Sequence, residues 1–248
     1  MRIRVCDLRK SSPVLVAVAL IITLSISIGS VINYYGKDLF IQASTDAPEE
    51  KIVIIDAGHG GEDCGAIGVN GVYEKDLNLE IAMSLGDMLQ EKGFAVVYTR
   101  TEDKMLYKEE ENIKGIRKLS DLKNRCAIAE RYPEALFVSV HMNSFGSSKY
   151  SGLQVYYSDN EETSYGLAES IQRNVRENIQ PKNNRVVKTG ENIYVLENIN
   201  NPAVLIECGF LSNSDECKKL SEKEYQKQLS FSIVCGIIEY VEKISASA

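Results

Sequence analysis

From Lys51 onward, short apolar runs rich in β-branched residues alternate with longer segments that repeat at a helical period, and this alternation most narrows the folds open to the chain. "KIVIID" (51–56) predicts a buried strand. "DLNLEIAMSLGDMLQEKG" (76–93) puts Leu77, Ile81, Leu85, Met88 and Leu89 on one helical stripe, with Gly93 placed to cap its C-terminus. "FAVVYT" predicts a second strand. The charged stretch 101–118 then leads to a helix near 119–132, stopped by Pro133. "ALFVSV" reads as a third buried strand, and "LQVYYS" as a strand with one wetter face. "EETSYGLAESIQRNVRENI" reads as an amphipathic helix, and "IYVL" and "PAVLIE" as further strands. Tyr225, Leu229, Ile233 and Ile237, four residues apart, predict a closing helix over 222–243. Strands alternating with helices imply one α/β domain in three layers, a largely parallel sheet covered on both faces. Ligands of such sheets bind beyond the carboxyl ends of the strands.

Length and charge narrow the function. At 248 residues the chain suffices for one sizeable domain or two small ones. Hydrophobic residues at 44% and charged residues at 25% match a globular protein, and five prolines without an internal repeat argue against a low-complexity scaffold. The formal charge is −7, but Arg2, Arg4, Arg9 and Lys10 against Asp7 give the first twelve residues +3, leaving −10 on the rest. That balance repels a phosphate backbone, so nucleic acid is not an expected partner.

The basic start precedes "PVLVAVALIITLSISIGSVINYY" (13–35), and no charged residue occurs between Lys10 and Lys37. A run of that length can span a bilayer as a helix, with the basic end inside and the rest exported. Residues 1–36 are therefore expected to interact with the membrane as an anchor; a cleaved signal peptide, with small residues at Gly29 and Ser30, is the competing reading. Residues 37–50 read as a polar linker and 51–248 as the exported domain. The six cysteines show no paired spacing, and Cys6 precedes the apolar run, so Cys64, Cys126, Cys208, Cys217 and Cys235 are an odd set of small, mainly buried residues.

The chain has only two histidines, and each follows an apolar run: His59 in "IIDAGHGGED" and His141 in "LFVSVHMNS". Past strand ends of one sheet, both can face one crevice. Two neutral imidazoles and one carboxylate make a three-ligand zinc site with an open position. Glu74, at the entrance to the first helix, is the carboxylate on the same edge. Asp56 is a candidate to orient His59 through its other ring nitrogen, while Glu62 and Asp63 read as solvated loop residues. Gly58, Gly60 and Gly61 permit a tight turn beside the histidine. Glu207 closes the apolar run "AVLIE", where a buried carboxylate needs a partner or a proton. It is either a general base, or a helix cap or ion-pair partner of an arginine such as Arg100 or Arg125.

Together, "IVIIDAGHGGEDCGAIGVNGVYEKDLNLEIA", "LFVSVHMNS" and "NPAVLIECGFLSN" resemble, in order, the three signature blocks of zinc-dependent N-acetylmuramoyl-L-alanine amidases of the Amidase_3 type. The resemblance runs from about residue 51 to about residue 240. It implies an α/β fold on about six strands, one Zn2+ held by His59, Glu74 and His141, catalysis by Glu207, and peptidoglycan as substrate. Ala57 stands where many members have proline, away from the ligands. One apolar N-terminal segment, one domain and no wall-binding repeats are similar to the germination-specific subgroup of endospore formers. That likeness implies removal of stem peptides from spore cortex, the step before muramic-δ-lactam formation, with an activator protein as a candidate partner. A vegetative wall amidase and a zinc exopeptidase are rivals that share the four site residues. A non-enzymatic wall-binding module would be expected to lack at least one of them. The stretch 101–118 is either one wall of a substrate groove or a solvated loop.

Overall fold

The computed structural model describes Leu20, Ile22–Ser25, Ser27 and residues 51–247. The chain divides into two compact units, Met1–Glu49 and Glu50–Ala248. In the first, Leu20, Ile22–Ser25 and Ser27 are helical; the rest of the expected membrane segment and the linker lie outside the described residues. No helix among the described residues is long and apolar enough to cross a membrane.

In the second unit the expected alternation produces β1 (Ile52–Ala57), α1 (Glu74–Glu91), β2 (Ala95–Tyr98), α2 (Arg117–Ala129), β3 (Leu136–Asn143), β4 (Gln154–Tyr157), α3 (Ser164–Asn178), β5 (Lys188–Thr189), α4 (Tyr194–Glu197), β6 (Ala203–Phe210), α5 (Ser214–Leu220) and α6 (Lys223–Ser247). The six strands form one sheet in the order β2-β1-β3-β6-β4-β5. All neighbours run parallel except β4 against β6. The sheet is thus mixed.

Because strand side chains alternate between faces, each run contributes to two cores. Val53, Ile55, Leu136, Val138, Val140, Val204 and Ile206 face the larger core, closed by α1, α3 and α6. In α1, Leu77, Ile81, Leu85 and Leu89 are buried at fourfold spacing, and Gly93 ends the helix at φ +85°, a conformation glycine adopts without strain. Ile54, Phe137, Ala203 and Leu205 face the smaller core under α2 and α4. Asp56, His141 and Glu207 share that second parity.

Three local expectations are corrected. "IYVL" forms the helical turn α4, not a strand. Val195 and Leu196 are both buried, which consecutive residues of a strand at this position could not achieve from one face. Asn192, at φ +67°, turns the chain into it and donates its backbone N–H to Glu197 Oε1 at 2.7 Å. His141 lies within β3, not past its end, and β6 likewise continues beyond Glu207 to Phe210. The helix α5 has no counterpart in the periodicity, because seven residues are too few to display one.

Candidate active site

β1 delivers the chain to Gly58 at the carboxyl edge, where Gly58 N donates to Val140 O of β3 at 3.1 Å. A Cβ on Gly58 would stand 2.2 Å from His141 Nε2, so the backbone must pass where only glycine fits. His59 follows at φ +60°, an uncommon conformation for a residue with a side chain. Two buried arginines hold this loop. Arg100 donates to Ala57 O (2.9 Å) and Gly58 O (2.9 Å). Arg125 donates to Ala57 O (2.8 Å) and His59 O (2.7 Å). Three successive carbonyls are thereby clamped, and the strain at His59 is held in place by groups outside the loop.

Asp56 does not orient His59. Its Oδ1 accepts from Arg125 Nη1 (2.6 Å) and Thr99 Oγ1 (2.7 Å), and its Oδ2 from Ser139 Oγ (2.6 Å). Burial alone would raise this carboxyl, but Arg125 and the two hydroxyls hold it below its usual range. Asp63, expected from the sequence to be solvated, takes the orienting role. Reciprocal backbone hydrogen bonds between Gly60 and Asp63 close a tight turn, which returns Asp63 Oδ2 to 3.0 Å from His59 Nδ1. The i,i+4 spacing of His59 and Asp63 was visible, but the turn that makes them meet was not. Glu62 pairs with Arg117 instead.

Glu74, first residue of α1, brings its Oε1 to 3.2 Å from His59 Nε2 and 3.0 Å from His141 Nδ1. Met142 N donates to the same oxygen (3.1 Å), and Ala66 N to Oε2 (2.8 Å). Asn78, one helical turn on, links Glu74 Oε1 (3.4 Å) to Gly58 O (3.1 Å). Burial opposes charge on both His59 and Glu74, yet their partners win: hydrogen bonds to His141 and then His59 hold Glu74 far below the usual carboxylate range. His59, bonded to Asp63 and Glu74, is raised to about 9. One donor atom from each of His59, Glu74 and His141 lies within 4.8 Å of the others. The histidines keep 18% and 19% of their side chains exposed, so the cluster is reachable. Its opening is a cavity of about 200 Å3, bordered by Lys118 and Leu122 of α2 and by Ile193 and Tyr194. Two imidazoles and one carboxylate converging on a point, with a second carboxylate orienting one imidazole, fit a zinc-type cation.

Glu207 is the register partner of His141 on β6. Beyond this pair β6 advances three residues while β3 advances two, a bulge of the kind that re-aims side chains beside sites. Neither arginine pairs with Glu207, since both are spent on Asp56, Asp121 and loop carbonyls. Its buried Oε2 has no hydrogen-bond partner among the described residues. Burial, with the Glu74 charge nearby, pushes its pKa up to about 7 against the pull of the histidines. The stretch 101–118 borders the site: Asp103 accepts from Gly61 N (2.7 Å) and Lys75 Nζ (2.6 Å), fastening the glycine loop.

A cation-type cluster at the carboxyl edge of a doubly covered sheet, with an unpaired carboxylate beside it, is an arrangement suited to a hydrolase. The chain belongs to the Amidase_3 family, N-acetylmuramoyl-L-alanine amidases, whose family model matches residues 53–239. It is accordingly a peptidoglycan amidase. The germination-specific N-acetylmuramoyl-L-alanine amidase of Bacillus subtilis (strain 168) is 37% identical over 190 residues, 77% of this chain and 79% of the relative. Among solved structures, the CwlD amidase from Clostridioides difficile in complex with the GerS lipoprotein is 41% identical. It has a TM-score of 0.75 over 78% of this chain and 99% of that one. The amidase AmiC2 of Nostoc punctiforme is 33% identical, with a TM-score of 0.67 over 78% and 98%.

Proposed function

We propose that this chain is a zinc amidase that cuts between the lactyl group of N-acetylmuramic acid and L-alanine in spore cortex, preparing muramic acid for δ-lactam formation. The observation that carries the chemistry is the orphaned, buried Glu207 Oε2 beside the His59–Glu74–His141 cluster. His59, Glu74 and His141 would hold the metal. When bound, zinc supplies Lewis acidity, acidifying water and polarising the amide carbonyl. Asp63 keeps the His59 imidazole turned toward Glu74, and the two-arginine clamp keeps its backbone in place. Glu207, with its pKa near the working pH, takes a proton from the attacking water and returns it to the departing α-amino nitrogen of L-alanine. The groove between α2 and Ile193–Tyr194 admits the strand on one side of the scissile bond.

The cortex assignment is supported by the likeness to the germination-specific relative and to CwlD. That CwlD was captured with a lipoprotein supports an activator protein as a second partner here. Residues 1–36 act as a membrane anchor or signal, 37–50 as a linker and 51–248 as the catalytic domain, acting outside the cytoplasmic membrane.

The test combines metal and product. His59→Ala and His141→Ala should each lose most of the one bound zinc. Glu207→Gln should keep it while turnover falls by about two to four orders of magnitude. Loss of zinc in Glu207→Gln would make Glu207 a ligand; near-normal turnover would make it structural. Mass spectrometry of digested cortex should show intact stem peptides with a free L-alanine amine, whereas trimmed stems would indicate an exopeptidase.

A further inference from the structure

Across the sheet from Glu207, a cationic side chain is anchored on the same face. Gln154 of β4 is the register partner of Glu207, so their side chains leave the pleat on one side. Gln154 Oε1 accepts from Arg185 Nη1 at 2.9 Å, and its Nε2 donates to Val186 O at 2.9 Å. Arg185 is fixed twice more. Its Nε donates to Ser151 O at 2.8 Å, and the guanidinium lies 4.5 Å from the centre of the Phe210 ring. Its Nη2 makes no hydrogen bond, and no carboxylate pairs with it, among the described residues.

This guanidinium borders a cavity of about 590 Å3 whose rim carries Lys149, Lys182 and Lys219. Glu216 is the one acidic residue in the lining, and its oxygens already accept from Gly152 N and Phe210 N, both at 2.8 Å. A chain of net charge −7 thus gathers four cations here around a single carboxylate, Glu216, whose charge Arg185 and Lys219 favour. A half-buried arginine whose planar fork is pre-oriented and left open is the device that recognises a carboxylate.

We propose that Arg185 is the specificity-determining residue on the peptide side of the cut, binding a free carboxylate of the stem peptide beyond L-alanine. Gln154 is one strand from Glu207, about 4.8 Å across the sheet, and the guanidinium lies one hydrogen bond beyond the Gln154 amide. An extended peptide advances about 3.5 Å per residue, so a carboxylate two or three residues past the scissile amide reaches it. The inference rests on the amidase reading, with hydrolysis at Glu207.

The test uses the full-length protein in detergent and soluble muramoyl peptides that differ only in whether a given carboxylate is free or amidated. Amidation of the recognised carboxylate should raise KM by about ten- to a hundredfold, the worth of one charge-assisted hydrogen bond, with little change in kcat. Arg185→Gln should already show the raised KM on the free acid and be indifferent to amidation; Arg185→Lys should keep part of the discrimination. A wild-type enzyme indifferent to amidation at every position would overturn the proposal. So would an Arg185→Gln variant that keeps the full amidation penalty, or one that loses kcat equally on both substrates, since Arg185 would then only brace Gln154. Calorimetric titration of the same two peptides onto Glu207→Gln protein reads the carboxylate preference without turnover. A failure of the general-base role would appear separately, as near-normal turnover in Glu207→Gln.

Discussion

At the residue scale, the site depends as much on what is missing as on what is present. Gly58 has no side chain, and His141 fills the space a Cβ would take. Gly58→Ala must therefore displace an imidazole or the strand end beneath it. We expect zinc affinity to fall on the order of 10- to 100-fold, the range that follows loss of a ligand's support. Gly146→Ala, where a Cβ would meet nothing within 4 Å, is the control. Competition against a chelating dye measures both; equal affinities would mean that His141 adapts freely and the close packing is incidental.

At the element scale, α5 shows how a short helix is specified by its ends. Asn213 caps it, its Oδ1 accepting from Asp215 N (3.0 Å) and Glu216 N (3.2 Å). The same amide donates to Ser148 O (2.8 Å) and Tyr150 O (3.2 Å), tying the loop before β4 to the helix. Asn213→Ala should cost about 1–2 kcal/mol, the upper range for a cap, because both sets of bonds are lost. Denaturant titration at constant slope would show it. A shift below about 0.3 kcal/mol would mean that water replaces the cap without cost.

At the scale of the whole molecule, Asp56 links β1 to Thr99 after β2, Ser139 of β3 and Arg125 of α2, and Arg125 also binds Asp121. This network is buried beneath the site and joins four elements. The Asp56 carboxyl titrates lower in the folded chain than its ordinary 3.8. Its contribution is therefore fully present above that value and is lost as pH falls through the lower folded one. Unfolding monitored from pH 6 downward should show stability declining below about pH 4. Asp56→Asn should flatten that decline while costing about 3–5 kcal/mol near neutrality, because Arg125 loses a buried counter-charge. A variant with the wild-type acid profile would move the acid sensitivity elsewhere.

Much of this was legible in the linear chain. The period-2 and period-3.6 patterns determined the alternating elements and the covered sheet, because burying an apolar face requires a repeat that matches the backbone. The two histidines were marked by rarity and by following apolar runs, and Glu74 by its place at a helix start, since the carboxyl edge is where such sheets place their ligand-binding groups. What the chain alone could not state were contacts between segments far apart in sequence. "IYVL" is a better strand than helix by composition, yet the space under the sheet accepts Val195 and Leu196 only from a helical turn. Asp63 and Asp56 are both acidic residues near His59 in sequence, and nothing linear ranks them. The Gly60–Asp63 turn and the buried Arg125 assign one to the histidine and the other to the core. Glu207 was left between a base and an ion-pair partner for the same reason. Only the folded chain spends Arg100 and Arg125 on the carbonyls of the His59 loop and leaves that carboxylate without a cation.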